Sequence, residues 1–249
     1  MATFFFRLNM SDSAFSDPRV RQALSLAIDR EAITRYVTGL GETPALGLVP
    51  PFIAGEEPWG EMGEKGLSYD PDRAREILAE CGHADGKGLK ELTIAFNTDV
   101  KNRAIAEAVQ QMWSKELGVD VILENREKKV HYARERAGEY LISRGNWIGD
   151  FSDPATFLDV FRSDGSSNRT GWKNKQYDSL LDRALVEVDV KKRRLLLKKA
   201  ELILCVEDPP IIPIFYYRTA YLLRPNRFEG IFENSRNIHP PKFIRVISP

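Results

Sequence analysis

The spacing of hydrophobic and polar residues predicts a chain that alternates between strands and helices. Short runs rich in aromatic and β-branched residues are typical of strands. In longer runs, apolar residues recur every three or four positions, as on one face of a helix. The predicted strands span residues 3–9, 92–96, 119–123, 140–143 and 211–217, and the predicted helices span 18–28, 71–82, 105–117, 127–137, 176–188 and 192–206.

The order strand, helix, strand between residues 92 and 123 favours a parallel or mixed sheet. Two other helices begin with an aspartate followed by proline. Asp17 and Asp70 can accept hydrogen bonds from the free N–H groups of the first turn, and the proline after each occupies a position where a missing N–H costs nothing. Residues 41–66 are rich in Gly and Pro, so we predict a long surface loop there.

Composition excludes several functional classes. The 249 residues include 36 Lys and Arg and 36 Asp and Glu, so no net charge directs the molecule to nucleic acid or to an anionic membrane. No apolar run approaches the roughly 18 residues that a membrane span requires, and no export signal is recognised at the N-terminus. Cys81 and Cys205 are too few for a zinc site or a disulfide framework, and a single bridge between them stays open.

No catalytic motif is found. The His-Glu-x-x-His, Gly-x-Ser-x-Gly and Gly-x-Gly-x-x-Gly patterns do not occur, and the three separated histidines receive no role. Asp150, Asp153 and Asp159 offer carboxylates, but Asp153 precedes a proline and is expected to cap a helix. The basic run at 191–194 is expected to be a solvated helix face. We therefore expect no enzyme activity, no cofactor and no metal.

Four blocks resemble the family 5 extracellular solute-binding proteins, which include the oligopeptide- and dipeptide-binding proteins of ABC importers. The longest block is residues 17–33, DPRVRQALSLAIDREAI. Residues 69–78 (YDPDRAREIL), 147–154 (WIGDFSDP) and 211–217 (IIPIFYY) follow in the order of the family. The similarity covers essentially the whole chain and corresponds to the second half of a family member.

The resemblance implies an α/β fold, a lobe of the periplasmic-binding-protein type II kind with a mixed sheet flanked by helices. Family members close two lobes on a hinge around the ligand, and this chain would supply the C-terminal lobe. Residues 1–217 are expected to form that peptide-binding lobe, and residues 218–249 to return toward the N-terminal lobe. Apolar residues of this segment are expected to promote self-association of the isolated lobe. They are Tyr221, Leu222, Leu223, Phe228, Ile231 and Phe232.

The implied function is capture of an extended oligopeptide without chemical change, for delivery to the membrane permease subunits of an ABC importer. The expected location is the periplasm or the outer face of the membrane, and no nucleic-acid partner is expected. A receptor that accepts many peptides has to bind their constant features, the backbone and the two charged ends.

Asp150 is the expected partner of the peptide's amino group, which is the role of the aspartate at this motif position in the family. Its alternative is a solvated loop residue. Arg144 stands where oligopeptide binders keep an arginine able to contact a peptide carboxylate, a group that fits the guanidinium fork. Its alternative is an internal salt bridge.

Five further residues occupy family positions near the pocket, and each has packing within the lobe as its alternative to lining the ligand site. They are Trp147, Asn168, Trp172, Tyr216 and Tyr217. Lys128 departs from the family pattern, because peptide binders commonly have a tryptophan there. Selectivity is therefore expected to differ.

Three alternative functions stay open. Relatives with this fold bind nickel chelates, haem or oligosaccharides, so the fold alone does not identify the solute. The same fold also serves as the ligand-sensing domain of cytoplasmic transcription regulators. A hydrolase that pairs Asp150 with Asp153 is the third, although no activated nucleophile or metal set accompanies the two carboxylates.

Overall fold

One six-stranded sheet organises the chain. The computed structural model describes residues 1–53, 59, 66–89, 91–222, 224, 227–232, 234 and 238–247. The strands of this sheet are β1 (Ala2–Leu8), β2 (Thr43–Pro44), β3 (Leu92–Asn97), β4 (Val121–Arg126), β5 (Ile142–Ile148) and β6 (Ile211–Tyr216). Their order across the sheet is β2-β6-β1-β5-β3-β4.

The sheet is mixed, as predicted. β1 runs antiparallel to both of its neighbours, β5 and β6. β3 runs parallel to both β4 and β5. The carboxyl ends of β3, β4 and β5 therefore lie at the same edge of the sheet.

The helices begin where the sequence provides capping residues. They are α1 (Pro18–Leu26), α2 (Arg30–Ala32), α3 (Pro71–Glu80), α4 (Val100–Leu117), α5 (Lys128–Arg136), α6 (Ala155–Leu158), α7 (Lys175–Val186) and α8 (Val190–Leu202). The Asp-Pro starts of α1 and α3 are confirmed, because Asp17 and Asp70 accept hydrogen bonds from backbone N–H groups of the first turn. α4 begins earlier than predicted, at a cap formed by Asp99.

Alternate residues of β1 enter two separate cores. Phe4, Phe6 and Leu8 pack in a layer with α1, α3 and α4. Phe5 points to the opposite face and packs in a second layer with α6, α7 and α8. Full burial of a large apolar side chain contributes about 1.5–3 kcal/mol, so this central strand stabilises both layers.

Two strands, β5 and β4, differ most from the predicted bounds. The strand predicted at 140–143 extends to Ile148, because β1 pairs with it over its whole length, from Leu8 opposite Ile142 to Ala2 opposite Ile148. Local apolar alternation fails at Gly145 and Asn146, so no local pattern predicts the second half of this strand. β4 begins two residues later than predicted, since its parallel register with β3 starts at Val121.

The prediction of a surface loop at 41–66 was wrong for the described part before residue 54. Ala45, Leu48 and Val49 are buried, and the Thr3 hydroxyl donates to the Leu48 carbonyl over 2.7 Å. β2 also pairs with β6. Gly and Pro indicate where a chain turns, not whether it is exposed. Residues 54–58 and 60–65 lie outside the described residues.

The described parts of 218–249 form a separate two-stranded sheet, β7 (Phe228–Glu229) and β8 (Arg245–Val246). Four of the six apolar residues singled out in this segment are exposed: Tyr221, Leu222, Phe228 and Phe232. Ile231 is half-buried, and Leu223 lies outside the described residues. The division after residue 217 stays a prediction.

Two expectations from composition can be compared with the structure. Cys81 and Cys205 are free thiols, so the bridge left open between them is not formed. Across the described ranges, no helix is both long enough and apolar enough to cross a bilayer.

Candidate functional site at the carboxyl end of strand β5

A cavity of about 410 Å³ lies at the carboxyl end of β5. We call it the β5 cavity. It is lined by Arg7, Tyr132, Glu135, Arg136, Asn146, Trp147, Ile148, Asp150, Ser167 and Arg169. β3 pairs with β5 only at Ile142 and Ser143. From residue 144 to residue 148, the edge of β5 that faces away from β1 therefore has no strand partner among the described residues. Open α/β sheets bind ligands at the carboxyl ends of their strands.

Asp150 presents a free carboxylate to this cavity. Its backbone N–H donates to Thr156 Oγ1 over 3.0 Å, and the neighbouring Gly149 N–H donates to the Met1 carbonyl over 3.1 Å. A Cβ on Gly149 would lie 2.9 Å from the Phe157 ring, so glycine permits this close approach. The side chain itself is exposed. Within the described part of the chain, its carboxylate has no hydrogen-bond or ion-pair partner.

Asp153, three residues later, is fully engaged within the protein. Its carboxylate accepts from the Ala155 N–H over 2.9 Å and from both Nη atoms of Arg193, over 2.7 and 2.9 Å. Burial alone would raise the pKa of this carboxyl, but the hydrogen bonds from Arg193 and Ala155 hold it below its ordinary value. Asp153 accepts a backbone N–H as predicted, but the N-cap position of α6 is occupied by Pro154. The engagement of Asp153 argues against an acid–base pair with Asp150.

Trp147 lines the cavity and also packs against the second core layer. Trp147 therefore combines the two alternatives considered for it, lining of the site and packing within the lobe. Its indole Nε1 is buried and has no hydrogen-bond partner among the described residues. The other three indoles do have acceptors, for Trp59 in Glu201, for Trp113 in the Leu24 carbonyl and for Trp172 in Asp208.

Arg144 lies beside the cavity, not among its lining residues. Its Nη atoms donate to the hydroxyls of Tyr132 and Tyr217 over 3.4 and 3.3 Å, and its guanidinium carbon lies 5.3 Å from the centre of the Phe4 ring. Arg144 is only 9% exposed, its Nε has no partner, and no carboxylate in the described ranges forms a salt bridge with it. The internal salt bridge given as its alternative is not found.

The two tyrosines at the end of β6 lie in different places. The Tyr217 hydroxyl contacts Arg144, and burial raises the pKa of this phenol although Arg144 opposes the shift. The Tyr216 hydroxyl instead donates to the Gly47 carbonyl over 3.1 Å. Tyr216 lines a second cavity of about 510 Å³ at the β2 edge of the sheet. The structure therefore brings Tyr217, but not Tyr216, close to the expected ligand block.

Asn168 and Trp172 act within the protein. The Asn168 amide donates to the carbonyls of Phe161, Arg162 and Trp172, which fixes the loop that carries Ser167 and Arg169 into the β5 cavity. Trp172 is 3% exposed, and its ring centroid lies 5.0 Å from that of Tyr177. Of the two alternatives given for these residues, burial and hydrogen bonding favour packing.

A buried charge cluster forms the floor of the cavity, and the sequence did not predict a site role for any of its residues. Glu135, 1% exposed, accepts from Arg7 over 3.0 Å, from Arg169 over 2.5 Å and from the Ser143 hydroxyl over 3.1 Å. A Cβ on Gly145 would lie 2.1 Å from Arg7 Nη1, so glycine leaves room for the guanidinium. One signal was present: Arg7 shares a strand face with the buried Phe5, and a buried charge requires a partner.

Lys128 does not belong to the cavity walls. Lys128, at the start of α5, is exposed and does not line the cavity. Over the described ranges, no group of three or more His, Cys, Asp or Glu side chains is arranged to hold a metal ion. What the cavity offers is a free carboxylate, an aromatic wall and several guanidinium groups.

Comparison with known proteins identifies the family. The profile of the family described as "Bacterial extracellular solute-binding proteins, family 5 Middle" matches residues 1–169, well over half of the chain. This chain belongs to that family. The match includes β1, β5 and Asp150, which together form much of the β5 cavity.

Individual relatives agree with this assignment. The oligopeptide-binding protein OppA of Bacillus subtilis is 36% identical over 226 residues, which are 90% of this chain and 41% of that protein. The periplasmic murein peptide-binding protein MppA of Escherichia coli is 37% identical over 229 residues, 90% of this chain and 42% of that protein. The chain thus spans less than half the length of these relatives.

Solved structures confirm the fold. A periplasmic oligopeptide-binding protein from Borrelia burgdorferi superposes with a TM-score of 0.85 at 31% identity, covering 99% of this chain and 48% of that protein. The expected mixed sheet flanked by helices is therefore the architecture of this family of binding proteins.

Proposed function

We propose that this chain is one lobe of an oligopeptide-binding protein that captures an extended peptide for an ABC importer. The observation that carries the proposal is the free carboxylate of Asp150 at the mouth of the β5 cavity. Three residues away Asp153 is neutralised by Arg193, so Asp150 is the carboxylate left available for a ligand ammonium group. The printed names of the relatives, which specify oligopeptides and murein peptides, support a peptide as the solute.

The cavity has the features that a tolerant peptide receptor needs. An ammonium bound to Asp150 would fix one end of the peptide by a charge-assisted hydrogen bond. Trp147 supplies an apolar wall without demanding a particular side chain. The unpaired edge of β5 offers backbone groups to an extended peptide. Arg144, whose hydrogen-bond partners among the described residues are the hydroxyls of Tyr132 and Tyr217, is proposed to receive the terminal carboxylate of short peptides.

The proposed mode of action is non-catalytic. Binding a peptide between this lobe and a second one would bury most of the ligand surface, as in small-molecule sites generally, where about 70–90% is buried. The proposed partners are the membrane permease subunits of the importer, and the proposed location is outside the cytoplasmic membrane. No nucleic-acid partner is proposed.

The indole signal of Trp147 allows a direct test. In a heteronuclear NMR titration of the 249-residue chain with a free tetrapeptide, Trp147→Phe identifies the Trp147 Nε1–H signal. We expect peptide to shift this signal and to leave that of Trp113 unchanged, because Trp113 is buried against the Leu24 carbonyl. Shifts confined to residues of the second cavity, such as Tyr69 and Thr43, would contradict the proposed site.

A further inference from the structure

We propose that the preferred peptide carries a carboxylate side chain close to its amino terminus, bound by Arg136 and Arg169. This inference rests on the proposed function and adds a specificity to the same cavity. Its starting point is the set of charged residues that line the β5 cavity. Three are positive, Arg7, Arg136 and Arg169, and two are negative, Glu135 and Asp150.

Ligand binding leaves the positive charges uncompensated. When a peptide ammonium occupies Asp150, Glu135 alone faces three guanidinium groups, and two positive charges remain. His131, which lies 3.8 Å from Glu135, does not alter this balance at neutral pH, because burial lowers the pKa of its imidazole. Unpaired charges that lose contact with water are costly. A ligand anion would therefore stabilise the complex, and a ligand cation would destabilise it.

Exposure separates the arginines that can reach the ligand from those that support them. Arg7 is 5% exposed and is held by Glu135. The Arg169 side chain is 26% exposed and uses one Nη atom for Glu135, so its other N–H groups stay available. Arg136 is exposed, and among the described residues it has no hydrogen-bond or ion-pair partner. Arg136 and Arg169 therefore contact the ligand, whereas Arg7 and Glu135 position Arg169.

The size of the cavity places the anion near the amino terminus. An extended peptide advances about 3.3–3.6 Å per residue, so within a cavity of about 410 Å³ the second or third residue falls opposite these guanidiniums. A terminal carboxylate has the same chemistry. However, Arg144, the arginine proposed for the terminus, contacts Tyr132 and Tyr217 beside the cavity, so we assign Arg136 and Arg169 to a side-chain carboxylate.

The test measures peptide affinities by calorimetry on the complete two-lobed protein. The peptides are amidated alanine tetrapeptides with Glu, Gln or Lys at the second or the third position, together with the Gln peptides bearing a free carboxyl terminus. At one of the two positions, the Glu peptide should bind at least about tenfold more tightly than the Gln peptide. This effect lies between the contribution of an exposed ion pair and that of a fully desolvated one. Lys should bind more weakly than Gln.

Variants assign the preference to particular residues. Arg136→Gln combined with Arg169→Gln should reduce the preference for Glu to less than about threefold. Arg136→Gln alone should reduce the preference for Glu partly. Because Arg136 is exposed, this substitution should not disturb folding, so misfolding would not explain the reduction. Arg134→Gln is the matched control, because Arg134 lies on the same helix but pairs with Glu124 and Glu139 and does not line the cavity.

Several outcomes would overturn the inference. Equal affinities for Glu and Gln peptides in the native protein would do so, as would a preference that survives the double variant. A gain that requires a free carboxyl terminus would assign the arginines to the terminus instead. In each of these cases the proposed function stands if free tetrapeptides still bind and if acetylation of their amino terminus still weakens binding. Absence of any peptide binding would contradict both proposals.

Discussion

Glu135 and Glu201 are both buried carboxylates, but their partners are of different kinds. Glu135, at the floor of the β5 cavity, is held by the charged groups of Arg7 and Arg169. Glu201, on the buried face of α8, accepts instead from neutral donors, the Val49 N–H over 2.8 Å and the Trp59 indole over 2.7 Å. Two guanidinium groups therefore face the single carboxylate of Glu135, whereas no arginine among the described residues compensates the charge of Glu201.

The same contrast holds for the aromatic residues of the two regions. Trp172, in the core with Glu201, has its indole hydrogen-bonded and its ring buried. Trp147, at the β5 cavity, is half-buried and its indole N–H lacks a partner among the described residues. The Trp172 indole is thus satisfied within this chain, whereas the Trp147 N–H is not satisfied by any of the described residues. Each prediction below tests this difference, beginning with the largest expected effect.

Truncation of the core tryptophan should destabilise the lobe far more than truncation of the cavity tryptophan. Trp172→Ala is expected to lower the free energy of unfolding by about 3–5 kcal/mol, because it leaves a cavity in a closed core. Trp147→Ala should cost about 1–2 kcal/mol, since its ring is only partly buried. Urea denaturation of both variants measures the difference, and equal losses would contradict the contrast.

Glu201 should make the stability of the lobe depend on pH. Burial raises the pKa of its carboxyl from 4.5 to about 7, although the hydrogen bonds from the Val49 N–H and the Trp59 indole oppose the shift. Between these two values the folded chain holds a proton that the unfolded chain has released. The free energy of unfolding should therefore fall as the pH rises through this window, by up to about 3 kcal/mol in total, and level off above it.

Urea denaturation at pH 5, 6, 7 and 8 tests this dependence. Relative to Glu201→Gln, the native protein should lose stability from pH 5 to pH 7. Glu107→Gln is the control, because Glu107 is exposed and its one ion-pair partner among the described residues is Arg103, on the same helix. Parallel pH profiles for the native protein and Glu201→Gln would show that Glu201 does not titrate in this window.

The β5 cavity should bind peptide only weakly in the absence of a second lobe. We expect the 249-residue chain to fold, since both core layers are formed within it, but to bind a given peptide at least about tenfold more weakly than the two-lobed protein, or about 1.4 kcal/mol. The reason is that an ion pair at Asp150 open to water contributes only about 0–1 kcal/mol. Comparable affinities would mean that this lobe holds the complete site.

Arg144 should affect only short peptides. If its guanidinium receives the terminal carboxylate, Arg144→Ala should weaken by up to about tenfold those peptides whose end reaches it, and amidation of the same peptides should have an equal effect. A uniform loss across peptide lengths would instead indicate that its contacts with Tyr132 and Tyr217 serve the structure of the lobe.

Local sequence signals predicted the elements of the fold more completely than they predicted the cavity. The caps at Asp17 and Asp70 and the apolar spacing of the long helices depend on neighbouring residues, so the sequence reveals them. The second half of β5 depends on pairing with β1, which is distant in the chain. Only tertiary structure therefore shows that Trp147 lies on a strand and that Gly145 makes room for Arg7.

The site residues show the same limit. The block at 147–154 identified Asp150 and Trp147, which do line the cavity. Glu135, Arg136 and Arg169 come from a helix and a loop with no local pattern that distinguishes them from surface charges, and they meet only after folding. Conversely, an aromatic residue at a family position, such as Trp172, carries no sequence signal that separates a pocket wall from a core.

The central claim, that Asp150 binds a peptide's amino group, is tested most directly by calorimetry on the two-lobed protein. The experiment compares one peptide with its N-acetylated form, in the native protein and in Asp150→Asn, with Asp120→Asn as a control from the opposite ends of the parallel strands. We predict that acetylation costs the native protein and the control about 2–5 kcal/mol, as for a desolvated charge pair, and costs Asp150→Asn little. Equal losses on acetylation in all three proteins would contradict this role for Asp150.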